Sequence, residues 1–391
     1  MDLSLSETQQ LVRDSVHDFL VREVPFDRVR EIEKSGGYDS ELWKSLHELG
    51  WLGLPFPEDA GGSGGSRTDL AVLIEELSKR AVIVPMMETM LSAITIHQFG
   101  KGAASRNILS AVLKGEAIVV PAIMEKSGKI DDVRMKAPSN GRMRGEKYFV
   151  DYGQMATHHL VAASKGKDVG LFLVDANNSA VKAEPLQSIG RVPQAVVTYG
   201  SVNAVQICGS DGYHSLLRLG RALAAIQCLG AAQQALDMTV EYVSHRVQFG
   251  VPIGTFQAVQ HHCANMATLV EASRFLTYEA VWAIDNDIAT DEQIALAKAC
   301  ASRAVTEVTM MAHQLHGGIG IVEEYDLHFF SLRGKERALA WGSAEECLAI
   351  VAQSIDEPED WLPMRSKETN SRKRTKQPSR ARKAKSTSRK R

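Results

Sequence analysis

The stretch HRVQFGVPIGTFQAVQHHCANM, residues 245–266, sets Arg246, Gln248 and Phe249 in a Gly/Pro turn between two helical runs. A guanidinium and an amide in one turn suit a phosphate-bearing ligand, and a neighbouring phenyl ring suits an aromatic one. Thr255 is the expected N-cap of the helix that follows. The stretch HQLHGGIGI, residues 313–321, ends a later helix with Gly317 and Gly318, where the missing Cβ atoms let backbone approach a ligand closely. Spacing alone leaves both motifs as suggestions. Other constellations carry less. AGGSGG (60–65) lacks the following Lys-Ser/Thr and the leading strand of a phosphate loop, so a flexible connector is expected. His313 and His316 share a helix face, but neither they nor the pairs His158/His159 and His261/His262 have a third ligand in reach, so no metal site is predicted. Cys208, Cys228, Cys263, Cys300 and Cys347 lack CxxC spacing, which predicts small packed apolar groups in a reducing cytoplasm.

These residues need a scaffold. Leu11, Val12, Val16, Phe19 and Leu20 recur at helical spacing, and a second helix is predicted near Ser40–Leu49. After the Pro/Gly-rich loop, helical pattern resumes at LAVLIEELSKR and continues in pieces to about Lys114. From 116 to 208 the texture changes to short β-branched runs such as YFVDYG, VGLFLVDA and QAVVTYGSVNAVQI, separated by turn residues. Leu216, Leu219, Leu223, Ile226, Gly230, Gln233, Leu236, Val240 and Val243 then trace one long helix, with further helices at 256–285, 291–315 and 343–356. Segregated elements predict an α+β chain: an N-terminal helical domain (1–114), a middle β-barrel or sandwich domain (115–208), a C-terminal four-helix bundle (209–356) and a disordered tail (357–391).

The formal charge of −2 over 391 residues conceals an asymmetry. Residues 365–391 hold 13 Lys/Arg and one acid, leaving 32 basic against 46 acidic groups elsewhere. A tail this basic and this poor in apolar residues cannot bury enough to order itself, and it could bind anions or nucleic acid. No apolar run is long enough to span a membrane, and no secretory leader pattern begins the chain.

Taken together, RVQFG-P-I---FQ-VQH, about fifty helical residues and QLHGGIG resemble the acyl-CoA dehydrogenase family. The resemblance extends upstream through LGLPFPEDAGGSGG with LIEEL and through GEKYFVDYGQMATHHLVAA, covering about residues 2–356. It implies FAD bound between the β-domain and the bundle and across a dimer interface. Arg246, Gln248 and Phe249 would contact the pyrophosphate and adenine region of a neighbouring subunit's FAD. Gln314, Gly317 and Gly318 would line the adenosine end, and Ser343 would also touch the cofactor. The implied reaction removes two hydrogens from an acyl-CoA thioester. A glutamate in a dry pocket takes the α-proton, hydride leaves Cβ for the flavin, and a backbone N–H at the base position polarises the thioester oxygen. An electron-transfer flavoprotein is the implied acceptor.

The resemblance offers three positions for that glutamate, and they fall on Trp341, Gly220 and Gln227. None is an acid, and a glutamine amide accepts no proton at useful pH. Asp151 replaces a neutral hydroxyl of the flavin-facing strands, and Glu345 replaces a cofactor-contacting glutamine. The expected function is therefore FAD-dependent α,β-dehydrogenation of an acyl-CoA, with this chain as the base-lacking subunit of a two-gene heterotetramer. It resembles actinobacterial subunits of that kind, some of which act on sterol side-chain thioesters. Two alternatives stand beside this. One is an active homotetramer using a displaced acid (Glu336, Glu345 or Glu346, each with a competing surface role). The other is a non-catalytic scaffold that uses the basic tail.

Overall fold

The structure, a computed structural model, describes residues 4–138 and 140–355, so the expectation for the tail at 357–391 lies outside the described residues. Six helices come first: α1 (Glu7–Glu23), α2 (Phe26–Ser35), α3 (Ser40–Glu48), α4 (Arg67–Lys79), α5 (Met86–Phe99) and α6 (Gly102–Leu113). Capping boxes start α1 (Ser6 with Gln9) and α4 (Ser66 with Asp69), each satisfying two N–H groups at the helix start. In α5 every residue from Met86 to Ile96 is buried, so this helix carries no amphipathic signal.

The glycine-rich stretch between α3 and α4 is not the flexible connector expected of it. Gly62 N–H donates to Pro57, Ser63 to Gly53, Gly64 to Phe56 and Gly65 to Leu54. A Cβ on Gly62 would meet the Phe56 carbonyl oxygen at 2.2 Å. These N–H groups are committed internally and form no phosphate cradle.

The strands are β1 (Val119–Ala122), β2 (Arg142–Asp151), β3 (His158–Lys165), β4 (Asp168–Asp175), β5 (Val181–Leu186), β6 (Gln194–Asn203) and β7 (Val205–Cys208). They form two sheets, ordered β1-β3-β4-β7 and β2-β6-β5. Pairing is antiparallel throughout, except between β1 and β3. Central β3 is buried from His159 to Ser164, whereas β6 alternates, with Ala195, Val197 and Tyr199 inward.

The C-terminal part is α7 (Ser210–His245), the hairpin β8 (Val247–Gln248) with β9 (Val251–Pro252), α8 (Gln257–Asp285), α9 (Asp291–His316), α10 (Leu327–Leu339) and α11 (Ala344–Gln353). At 36 residues, α7 is the axis of this part, packing against α4, α5, α8, α9 and α10. Thr255 does not cap α8: its hydroxyl donates to the Pro252 carbonyl inside a 3-10 turn, and α8 starts after Phe256 with no side-chain cap. Helix α10 was not among the expected helices. Arg333, Lys335, Glu336, Arg337 and Gly334 interrupt its apolar stripe, yet Arg333, Glu336 and Arg337 are all buried. Among the described residues no helix is long and apolar enough to cross a membrane.

Candidate active site

The turn joining α10 to α11 carries Trp341. The backbone there is left-handed, with φ +62 at Trp341 and +106 at Gly342, and a bulky residue adopts the first value only when its surroundings enforce it. Three carbonyls of the turn are held by cations from neighbouring helices. Lys298 of α9 is fully buried, and its Nζ donates to the Ala338 carbonyl at 3.0 Å, to the Gly342 carbonyl at 3.2 Å and to Ser302 Oγ at 2.8 Å. Burial pushes this ammonium's pKa below the usual lysine value. Arg221 Nε of α7 donates to the Trp341 carbonyl at 3.3 Å. The far side of the turn is fixed by a capping box in which Ser343 Oγ accepts from Glu346 N–H and Glu346 accepts from Ser343 N–H.

So held, the Trp341 indole lies on Gly220 of α7: a Cβ at Gly220 would be 2.4 Å from Trp341 Cε3. Trp341 and Gly220, two of the three positions expected to carry an acid, are thus in contact, and the indole fills the space beside Gly220. The third, Gln227, lies two helical turns further along α7 and has a buried Oε1 with no hydrogen-bond partner.

The displaced acids proposed from sequence are not at the surface as a group. Glu336 is buried; its carboxylate accepts from Gly190 N–H at 2.8 Å and from Arg337 Nη2 at 3.0 Å. Glu346 is committed to the α11 cap, and Glu345 is exposed beside it. The acid that sequence reading missed is Glu88, near the start of α5. Arg337 gathers three carboxylates: Asp151 at 2.6 Å, Glu336 at 3.0 Å and Glu88 at 3.4 Å. Asp151 also accepts from Gln194 Nε2 at 2.7 Å. Desolvation raises Glu88 to about 8, and the Asp151 carboxylate pushes the same way, against Arg337. A lone acid inside MMETMLSAITI was the available signal; no periodicity pointed at it, because α5 is buried on every side from Met86 to Ile96.

Glu88 borders two cavities. One, of about 620 Å³ including its mouth, lies between α4–α5, α7 and α10 and is lined by Gln227, Tyr152, Arg333 and Arg337 among apolar groups. The other, about 460 Å³, lies beside β1 and β2 and is lined by Pro121, Ile123, Phe149, Asp151 and Trp341. Phe149, Tyr152 and Trp341 all have positive φ, so three left-handed aromatic residues face these two spaces.

The Arg246 group lies elsewhere on the bundle. Phe249 and Gly250 form the two-residue tip of the β8–β9 hairpin, with φ +56 and +81, the geometry of a type I′ turn. The Phe249 side chain is 92% exposed. Arg246 and Gln248 are exposed beside it, and Arg246 forms no ion pair among the described residues. Tyr242, one turn before Arg246, stacks on His316 at 4.5 Å, which brings the end of α7 next to the end of α9. Gln314 is exposed there, and a Cβ built on Gly317 or Gly318 would meet nothing within 4 Å. The histidines of this end are accounted for: His313 Nδ1 bonds the Gly320 carbonyl and His316 bonds Tyr325 Oη and the Ala312 carbonyl. Among the described residues no His/Cys/Asp/Glu cluster could hold a metal.

Helices, two sheets and a helical bundle, with cavities where the three meet, are the architecture of a class of flavin-dependent dehydrogenases. The chain belongs to the acyl-CoA dehydrogenase family, oxidoreductases that act on CH–CH groups with FAD. Its residues 6–116 match the N-terminal domain model of that family and residues 209–355 the C-terminal domain model. It is 29% identical to acyl-CoA dehydrogenase IpdE2 of Mycolicibacterium smegmatis, over 90% of this chain and 100% of that protein. Among solved structures it resembles a variant of the Tcur3481-Tcur3483 steroid ACAD, with 31% identity and TM-score 0.85 over 90% of this chain and 98% of the other. It also resembles the ChsE4-ChsE5 complex from Mycobacterium tuberculosis, with 27% identity and TM-score 0.86 over 91% and 99%.

Proposed function

We propose that this chain is the base-lacking subunit of a hetero-oligomeric, FAD-dependent acyl-CoA dehydrogenase. The observation that carries the reading is the Trp341 indole packed on Gly220, with Gln227 at the remaining position, so no carboxylate stands where the family's proton acceptor is expected. The donors on the bundle fit an anionic dinucleotide. Arg246 and Gln248 would meet the pyrophosphate, Phe249 the adenine region, and the open backbone at Gly317 and Gly318 with Gln314 the adenosine end. Ser343 serves first as a helix cap, its Oγ accepting from Glu346 N–H, and would touch the cofactor by donating its hydroxyl proton. FAD supplies the hydride acceptor when bound. The partner supplies the glutamate, and this chain completes the nucleotide site from its exposed hairpin. Similarity to a two-component steroid ACAD and to the ChsE4-ChsE5 complex supports both the hetero-oligomer and a steroid-derived acyl-CoA as substrate. An electron-transfer flavoprotein is the proposed acceptor and the cytoplasm the proposed location.

Co-expression with a candidate partner subunit, an acyl-CoA dehydrogenase chain that carries the glutamate, tests this. The chain alone is expected to bind little flavin and to leave acyl-CoA unoxidised with an artificial dye, and the pair to be yellow and active. Full dye-linked turnover by the chain alone rejects the reading.

One observation favours a second reading. Glu88 is a buried carboxyl bordering both cavities, with a pKa near neutrality, as an autonomous enzyme with a displaced proton acceptor requires. In that case Glu88→Gln abolishes substrate-induced flavin bleaching in the chain alone, whereas in the first reading there is no such activity to lose.

A further inference from the structure

Three carboxylates share one guanidinium where α5, β2 and α10 meet. Arg337 Nη1 takes both Asp151 at 2.6 Å and Glu88 at 3.4 Å, and Nη2 takes Glu336 at 3.0 Å. Arg333, the other cation that α10 brings here, is occupied by Glu33 at 2.9 Å. Tyr152, on the turn after β2, stays a neutral phenol because burial pushes its pKa up, and Gln194 of β6 carries no charge. With every acid ionised, three negative charges would face one positive in a dry site, so a proton stays. Desolvation, with the Asp151 charge beside it, keeps that proton on Glu88 up to a pH of about 8. A protonated Glu88 can donate to the Asp151 carboxylate that shares Nη1 with it.

The two acids sit on elements of unequal firmness. Helix α5 is buried on every side around Glu88 and has nowhere to go. The end of β2 is looser. Its register against β6 slips between Lys147 and Val150, and the Tyr148 N–H turns away to the Met124 carbonyl. Phe149 follows with a left-handed backbone, φ +54, and an exposed ring. A bulged segment has fewer ladder bonds to break than the strand on either side of it. Phe149 and Asp151 also form part of the wall of the cavity beside β1 and β2, with Glu88 and Trp341 in the same wall.

We propose that Glu88 and Asp151 form a proton-operated latch: one proton held between them keeps the bulged end of β2 closed on α5, and its loss frees that segment and lets water into the cavity beside β1 and β2. The proton leaves to solvent as pH rises. Two anionic carboxylates then compete for one nitrogen of Arg337, and the second buried charge draws in water. The segment that yields is the bulge, because α5 cannot. The latch requires neither flavin nor turnover, so its failure would leave the base-lacking reading standing.

The test is hydrogen exchange of the full chain, read by mass spectrometry on either side of the transition and corrected for the intrinsic effect of pH on amide exchange. Wild-type peptides over 148–152 are expected to speed up about tenfold as pH rises, with a midpoint near 8, while α8 stays level. Glu88→Gln keeps a donor to Asp151 and cannot ionise, so it should remove the step. Asp151→Asn removes the like charge, so the step should shrink and its midpoint fall by about one unit. A flat wild-type profile overturns the inference. So does an equal rise in Glu88→Gln, a step of unchanged size and midpoint in Asp151→Asn, or a rise that α8 shares.

Discussion

The ring of Trp341 rests on the backbone of Gly220, 2.4 Å from where a β-carbon would stand, so the two residues hold their places jointly. Gly220→Ala is the smallest probe of that contact. Overpacking in a closed site costs about 1–3 kcal/mol. The variant should melt earlier and show altered near-UV circular dichroism from a displaced indole. An unchanged spectrum and melting point would mean the ring does not sit there.

Lys298 is expected to control the same turn from a distance. Replacing it with methionine keeps the stem but strands the Ala338 and Gly342 carbonyls, which lose donors at 3.0 and 3.2 Å. The Gly342 carbonyl keeps only the weak Cys347 thiol at 3.8 Å, so the loss is about 1–3 kcal/mol, mostly at Ala338. Hydrogen exchange should speed up around 338–342 more than in α8. Uniform protection in that turn would contradict the account.

Glu88 makes stability depend on pH in a defined direction. Its folded pKa of about 8 stands above the ordinary 4.5, so the folded chain binds more protons than the unfolded chain between those values. Stability must therefore fall as pH rises from about 4.5 to about 8 and level off above. Glu88→Gln cannot ionise. Its denaturation midpoint should gain on wild type steadily across that window, and two parallel pH profiles would exclude the raised pKa.

At the hairpin tip, Phe249 pays for a left-handed backbone with a side chain 92% exposed in the single chain. Phe249→Gly removes strain of ~1 kcal/mol while adding chain entropy of similar size. The isolated chain should melt within about 2 °C of wild type. Assembly, if this ring is an anchor, should weaken by about tenfold or more in sedimentation. Intact assembly would assign the phenyl group no role there.

Arg246 separates cofactor contact from folding. It forms no ion pair among the described residues, so Arg246→Ala should leave the chain's own melting point unchanged. In the partnered enzyme it should cost about tenfold or more in flavin retention on dilution, as expected of a lost charge-assisted contact to phosphate. Equal flavin content would remove Arg246 from the proposed site.

Much of the scaffold was legible. The apolar period of α7, the β-branched run of β6 and the Gly/Pro turn after α7 are local patterns, and local patterns survive in a one-dimensional string. Helix α10 escaped because Arg333, Glu336 and Arg337 look like surface residues until their partners are known. Those partners, Glu33, Gly190, Glu88 and Asp151, come from four other places in the chain. Glu336 was misplaced at the surface for the same reason.

By itself the sequence determined that Trp341, Gly220 and Gln227, the positions expected of the proton acceptor, are none of them acids; composition and order suffice for that. Only the tertiary structure decided that Trp341 and Gly220 occupy one space, that Lys298 holds the turn between them, and that a carboxyl from α5 borders both cavities. Each of those depends on distances between segments far apart along the chain. Burial sets the protonation of groups such as Glu88, and it exists only once the helices and sheets have closed around them.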